Sequence, residues 1–310
     1  MNSYSERNAE FHPRVIVWSL ARVDDQTGFS THECLLTIDG IARYAKPIIV
    51  LTGSNLLQRP DLYEIIEYGN ALGLRIIVET QPKELTSEVL HLYAAFGPKL
   101  FRLILNGCVV EDSETRYKQS SEFLALRDAI QRLNTAGYEI HLGAMIDHVD
   151  IRELAFYHDF AFRSAANGLY CHLSFNASDN NEEKHENTNE VIDAFARMKR
   201  FSPKNMYVSP QCVKYGPRRF VDEMHDDQNS VCEYSWEWAH CCLGGKSFAH
   251  INSEGIIQIC AGQPQVCGDL RANGYDFKQA WEHSEMFQFL RSNEWTCAET
   301  LSHVNSIQET

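Results

Sequence analysis

A strand–helix–strand order near the start of the chain restricts what it can fold into more than any other feature. Residues 15–18, Val-Ile-Val-Trp, form an apolar run of buried-strand length, and residues 48–52, Ile-Ile-Val-Leu-Thr, form a second. Between them Leu35, Leu36, Ile38, Ile41 and Ala42 recur at helical rather than alternating spacing. Two strands joined through a helix lie parallel, because the crossover returns the chain to the same end of the sheet.

The theme then repeats. Residues 60–73 predict a helix with Leu62, Ile65, Ile66 and Leu72 inward, Pro60 near its start and Gly73 as its stop. A strand follows at 74–80, then a helix at 86–96 closed by Gly97-Pro98, and a strand at 100–105. A helix at 120–136 turns Phe123, Leu126, Ile130 and Leu133 inward and ends at Gly137. A strand at 138–146, a helix at 149–166 and a strand at 169–175 complete the run. Residues 176–189 hold Ala177 as their only apolar side chain and read as an exposed linker, before a helix at 190–201. From 206 the pattern is expected to become less regular. Six strands alternating with helices mean an α/β chain with a parallel sheet, open or closed into a barrel.

The chain has 310 residues and a formal net charge of −14, enough length for one large core plus a smaller region. An acidic surface argues against nucleic acid or an anionic membrane as partner, since both reward clustered Lys and Arg. The first residues form no apolar signal region and no run is long enough to span a membrane, which predicts a cytoplasmic protein. Ten cysteines in a chain of this size read as thiols or metal ligands rather than a disulfide framework.

Two stretches carry a family resemblance. Val17-Trp-Ser-Leu-Ala-Arg-Val23 and Leu51-Thr-Gly-Ser-Asn-Leu-Leu-Gln-Arg-Pro-Asp61 resemble the opening of radical S-adenosylmethionine enzymes with a C-terminal SPASM or twitch extension. There the first strand reads V-W-E-L-T-R-A before Cys-x3-Cys-x2-Cys, and the second ends in L-T-G-G-E-P-L-x-R-P-D. Alignment on Trp18 puts the three cluster cysteines at Asp24, Gly28 and Thr31, and none is a cysteine. The G-G-E-P turn, which in the family takes the amino end of the methionine moiety, is here Gly53-Ser54-Asn55-Leu56. Near the other end, 242–260 looks like a hairpin turning at Ser253-Glu254-Gly255, followed by Cys267-Gly-Asp-Leu-Arg271 and a helix at 277–292 with Trp281, Ser284, Phe287 and Leu290-Arg291. This is similar to the SPASM/twitch order of hairpin, G-N-L-R and a helix bearing I-W-x-x-S-x-x-F-x-x-L-R.

The resemblance implies a partial (β/α)6 TIM-like barrel over residues 14–205, preceded by a tail at 1–13. A SPASM/twitch-like hairpin and helix would occupy 206–310, with the hairpin packed outside the barrel. It implies Gly53, Ser54 and Asn55 as a degenerate S-adenosylmethionine-binding turn. Cys242, Cys260, Cys267 and Cys297 are the candidates for a four-iron, four-sulfur cluster or zinc in the tail. Asp24, Asp25 and His32, where the cluster loop would be, offer carboxylate and imidazole ligands for another metal. Other histidines, His250 among them, show no paired ligand spacing and are assigned no role. With the first cluster's ligands replaced, the expected function is a non-catalytic relative in peptide modification or cofactor biosynthesis. Its partner would be an active radical S-adenosylmethionine homologue or a peptide substrate. The alternative is a metal- or cluster-dependent enzyme on the same fold.

Overall fold

A computed structural model describes residues 11–20, 28–94, 97–105, 121–147, 151–174, 188–204, 206–214 and 242–292. In chain order the elements are β1 (Val15–Ser19), α1 (Thr31–Tyr44), β2 (Ile48–Thr52), α2 (Leu62–Ala71), β3 (Arg75–Thr80), α3 (Ser87–Tyr93) and β4 (Leu100–Ile104). They continue with α4 (Ser121–Ala136), β5 (Glu139–Asp147), α5 (Ile151–Arg163), β6 (Gly168–Ser174), α6 (Thr188–Phe201) and β7 (Tyr207–Lys214). Last come β8 (Phe248–Ile251), β9 (Ile256–Cys260), β10 (Gln263–Asp269), α7 (Phe277–His283) and α8 (Glu285–Arg291). The chain is α/β with a mostly parallel sheet, as the alternating pattern requires. The linker expected at 176–189 lies outside the described residues up to 187, and α6 begins at Thr188.

Two compact units divide the chain, one of residues 1–80, 84–101 and 243–293, the other of 81–83, 102–242 and 294–310. In the first, β1 pairs in parallel with β2, Val15 opposite Ile48 through Ser19 opposite Thr52, and β2 pairs in parallel with β3. Ile16, Trp18 and Leu20 alternate onto one face and are buried there, with Phe29 set edge-on to Trp18 at 5.3 Å between ring centres. Helix α1 starts in a capping box: the Ser30 side chain accepts from Glu33 N, and the Glu33 carboxylate accepts from Ser30 N. Such a cap is worth about 1 kcal/mol.

The C-terminal hairpin does not pack outside this sheet as expected; it extends it. Strand β8 runs parallel to β1, with Val15 opposite Phe248 and Trp18 opposite Ile251, and β9 returns antiparallel to β8. A further strand, β10, pairs with β9 and was not foreseen. The physical reason is that the outer edge of β1 would otherwise present a row of unpaired backbone groups. The single helix expected over 277–292 is also corrected. Ser284 closes α7 with its backbone N–H and caps α8 through its side chain, so two helices meet at that residue. Helix α7 lies against α1, where Gly40 permits the approach: a Cβ there would stand 2.2 Å from the Tyr275 carbonyl oxygen.

In the second unit β5, β6 and β7 are parallel neighbours, His141 opposite Gly168 and Gly168 opposite Tyr207. Thus the chain after 206 opens with a regular strand rather than irregular structure. Leu126, Ala129 and Leu133 of α4 and Leu154, Tyr157 and Ala161 of α5 fill its core. The Arg102 guanidinium lies 4.5 Å from the centre of the Tyr170 ring.

Candidate functional site

The carboxyl ends of β1 and β2, where parallel sheets place their sites, lie in the first unit. After β2 the chain makes the turn that the resemblance assigns to S-adenosylmethionine. Gly53 has φ +148°, and a Cβ on it would stand 2.3 Å from the Leu20 carbonyl oxygen, so only glycine lets the turn close on the end of β1. Ser54 is exposed, and Asn55, half-buried, takes left-handed geometry (φ 55°, ψ 33°) to start a single 3-10 turn at Leu56–Gln58.

Below the turn sits a polar cluster that sequence reasoning did not single out. Arg59 is buried, donating from Nε to Asp61 Oδ1 at 2.7 Å and from Nη2 to Asp61 Oδ2 at 2.9 Å. The same Nη2 reaches the Phe29 carbonyl at 2.8 Å and Cys34 Sγ at 3.5 Å. Thr31 donates its hydroxyl to Asp61 Oδ2 at 2.6 Å. Burial alone would raise the Asp61 carboxyl, but the hydrogen bonds from Arg59 and Thr31 outweigh it and hold the group below the usual carboxylate range. Burial pushes the Cys34 thiol up to about 12, so it stays protonated and serves as a packing group.

A second cluster ties the start of α1 to the tail. Arg271 donates from Nη2 to the Gly28 carbonyl at 2.9 Å, from Nη1 to the Glu254 carbonyl at 3.1 Å and from Nε to Glu33 Oε1 at 2.7 Å, with its guanidinium 5.0 Å from the Phe29 ring centre. The Tyr275 hydroxyl donates to the same Glu33 oxygen at 2.9 Å. Burial opposes ionisation of Glu33, yet the donors from Arg271, Ser30 and Tyr275 lower it to about 2.

Of the three positions aligned with cluster cysteines, two are thus described. Gly28 has no side chain to offer and its carbonyl is taken by Arg271, while the Thr31 hydroxyl is committed to Asp61. A thiolate-held cluster does not fit these residues. Asp24 and Asp25 lie outside the described residues, and His32 is exposed in the first turn of α1. In the tail, Cys242 and Cys260 are half-buried and Cys267 is buried with its thiol toward the Gln265 carbonyl at 3.6 Å; Cys297 lies outside the described residues. Among the described residues no three His, Cys, Asp or Glu side chains gather at metal-binding range, and no helix is long and apolar enough to cross a membrane.

One further constellation was missed. The His250 ring, buried between strands, has Nε2 2.9 Å from Ser19 Oγ and Nδ1 3.0 Å from Gln258 Oε1. The signal was legible as two polar residues, His250 and Gln258, inside the apolar strands Phe-Ala-His-Ile and Ile-Ile-Gln-Ile.

No family model matches the chain. It is 24% identical over 273 residues to the AdoMet-dependent heme synthase of Methanosarcina barkeri, spanning 86% of this chain and 76% of that protein. It is 23% identical over 275 residues to the enzyme of that name from Nitratidesulfovibrio vulgaris, spanning 86% and 74%. Among solved structures, Streptococcus suis SuiB superposes with a TM-score of 0.63 at 12% identity, covering 92% of this chain and 68% of SuiB. The structure of anSMEcpe with AdoMet and a peptide superposes with a TM-score of 0.55 at 9% identity, covering 96% of both chains. In its sequence relatives and its fold together, the chain is similar to the radical S-adenosylmethionine superfamily.

Proposed function

We propose that this chain is a member of that superfamily that has given up radical chemistry and works as a binding or accessory protein. The process it serves is cofactor biosynthesis or peptide modification. The observation that carries the reading is the Thr31 hydroxyl, 2.6 Å from Asp61 at the position of the third cluster cysteine. A cysteine thiolate there would stand beside the Asp61 carboxylate and lose the donor that stabilises it. The relatives named as heme synthases make a tetrapyrrole the first ligand to test, and SuiB, solved with its precursor peptide SuiA, supplies the peptide alternative. In the Gly53-Ser54-Asn55 turn, Asn55 offers an amide where the family has a carboxylate, which weakens the case for a retained S-adenosylmethionine site.

The test is anaerobic incubation of the iron- and sulfide-treated protein with S-adenosylmethionine and a strong reductant. The expected outcome is no 5′-deoxyadenosine above a no-protein control; its production would overturn the reading. Iron and zinc analysis of the same sample tests the alternative. About four irons, or one zinc, per chain would point to Cys242, Cys260, Cys267 and Cys297, or to Asp24, Asp25 and His32.

A further inference from the structure

Ser19, His250 and Gln258 stand in a line that the family reading does not use. Ser19 ends β1 where the family pattern has a glutamate. His250 pairs in register with Val17 of β1 and with Gln258 of β9, and Ser19 pairs with Thr52 of β2. Because side chains alternate along a strand, Ser19, Thr52, His250 and Gln258 all project from one face of the first unit's sheet.

The hydrogen bonds fix the proton positions. A Gln oxygen accepts only, so Nδ1 of a neutral His250 carries the proton and donates to Gln258 Oε1. That leaves Nε2 with its lone pair directed at Ser19 Oγ, 2.9 Å away, which therefore donates. Burial lowers the His250 pKa from its ordinary value, more than the Gln258 hydrogen bond restores it, so the ring is neutral near pH 7. His250 is 4% exposed and Ser19 half-buried, so the base is shielded while the hydroxyl remains reachable. A hydroxyl on a neutral imidazole, with that imidazole oriented by a third group, is the arrangement that activates a nucleophile.

We propose that Ser19 is an activated nucleophile that takes an acyl group from a carboxylic ester, with His250 as its base and Gln258 as a positioning residue. Ser19 Oγ adds to the acyl carbon as its proton passes to His250 Nε2. The ester C–O bond then breaks and the alcohol leaves with that proton. Water attacks the acyl-serine, giving one proton to His250, which returns it to Ser19 Oγ as the carboxylic acid departs. Gln258 is neutral, so His250 is a weaker base than one paired with a carboxylate and the reaction is slow.

A fluorophosphonate probe tests this on the full-length protein: the Oγ–P bond forms, the P–F bond breaks and fluoride leaves. Labelling is followed by intact mass and peptide mapping. One adduct is expected, on Ser19, and His250→Gln should slow its formation about 100-fold. Gln258→Glu should speed it about tenfold by placing a carboxylate on Nδ1, a gain that misfolding cannot mimic. Absence of a Ser19 adduct, or no acceleration in Gln258→Glu, would overturn the proposal. Neither iron nor S-adenosylmethionine enters the assay, so its outcome stands apart from that of the radical-chemistry test.

Discussion

The β1–α1 connection and the C-terminal segment 242–292 compare differently with the family pattern they resemble. In the connection, the letters that differ from the family pattern fall at the positions aligned with cluster cysteines, and of these Gly28 and Thr31 engage in hydrogen bonds. In the C-terminal segment, among the letters that match, Arg271, Trp281 and Arg291 reach backbone carbonyls of other segments, Ser284 caps a helix and Phe287 packs on Trp281. Trp281 Nε1 donates to the Phe11 carbonyl at 3.0 Å, and Arg291 donates to the carbonyls of Gly245 at 2.5 Å and Trp281 at 2.8 Å. The same holds for Arg59 and Asp61 after β2. Losing such a buried tie costs stability whatever the protein does.

The largest effect should come from Arg59. Its side chain is 1% exposed and Asp61 12%, so Arg59→Met leaves a carboxylate in a dry site without its cation. A loss of about 3–5 kcal/mol is expected in chemical denaturation, and a loss under 1 kcal/mol would break the view that the matching letters are structural. Next is Gly40→Ala, where the added Cβ meets the Tyr275 carbonyl at 2.2 Å. Backbone has to move between α1 and the tail, and about 1–3 kcal/mol should be lost. Thermal unfolding of this variant against Gly137→Ala, where a Cβ meets nothing within 4 Å but φ is +78°, separates the clash from simple glycine replacement.

A smaller change is expected for Arg271→Ala, which removes the link from the tail to Gly28 and Glu33 at a partly exposed site. About 1 kcal/mol should be lost, and a double-mutant cycle with Glu33→Gln should show the two substitutions to be coupled rather than additive. The smallest effect concerns acid. Glu33 falls from an ordinary value of 4.5 to about 2 in the folded chain, so the unfolded state binds its proton first as pH falls. Its stabilisation is complete above 4.5 and is lost as pH drops toward 2. Glu33→Gln should flatten that part of the stability–pH curve; an unchanged slope would mean that Arg271 and Glu33 contribute nothing as a pair.

The alternation of buried runs with helical segments determined the parallel α/β core, because strands joined through helices have no other way to bury both faces. Sequence also placed the Gly53 turn, since a glycine directly after a strand marks a close backbone approach, and the Leu20 carbonyl is what it meets. That Asp24, Gly28 and Thr31 are not cysteines is likewise legible letter by letter. Tertiary structure alone decided where the tail goes. That β8 joins the open edge of β1, that Arg271 reaches back to Gly28 and that His250 meets Ser19 all depend on pairing residues more than 200 positions apart. Local spacing carries no record of such partners. Strand edges and buried polar groups choose them only once the chain has closed, when each must find a hydrogen bond or lose stability for lack of one.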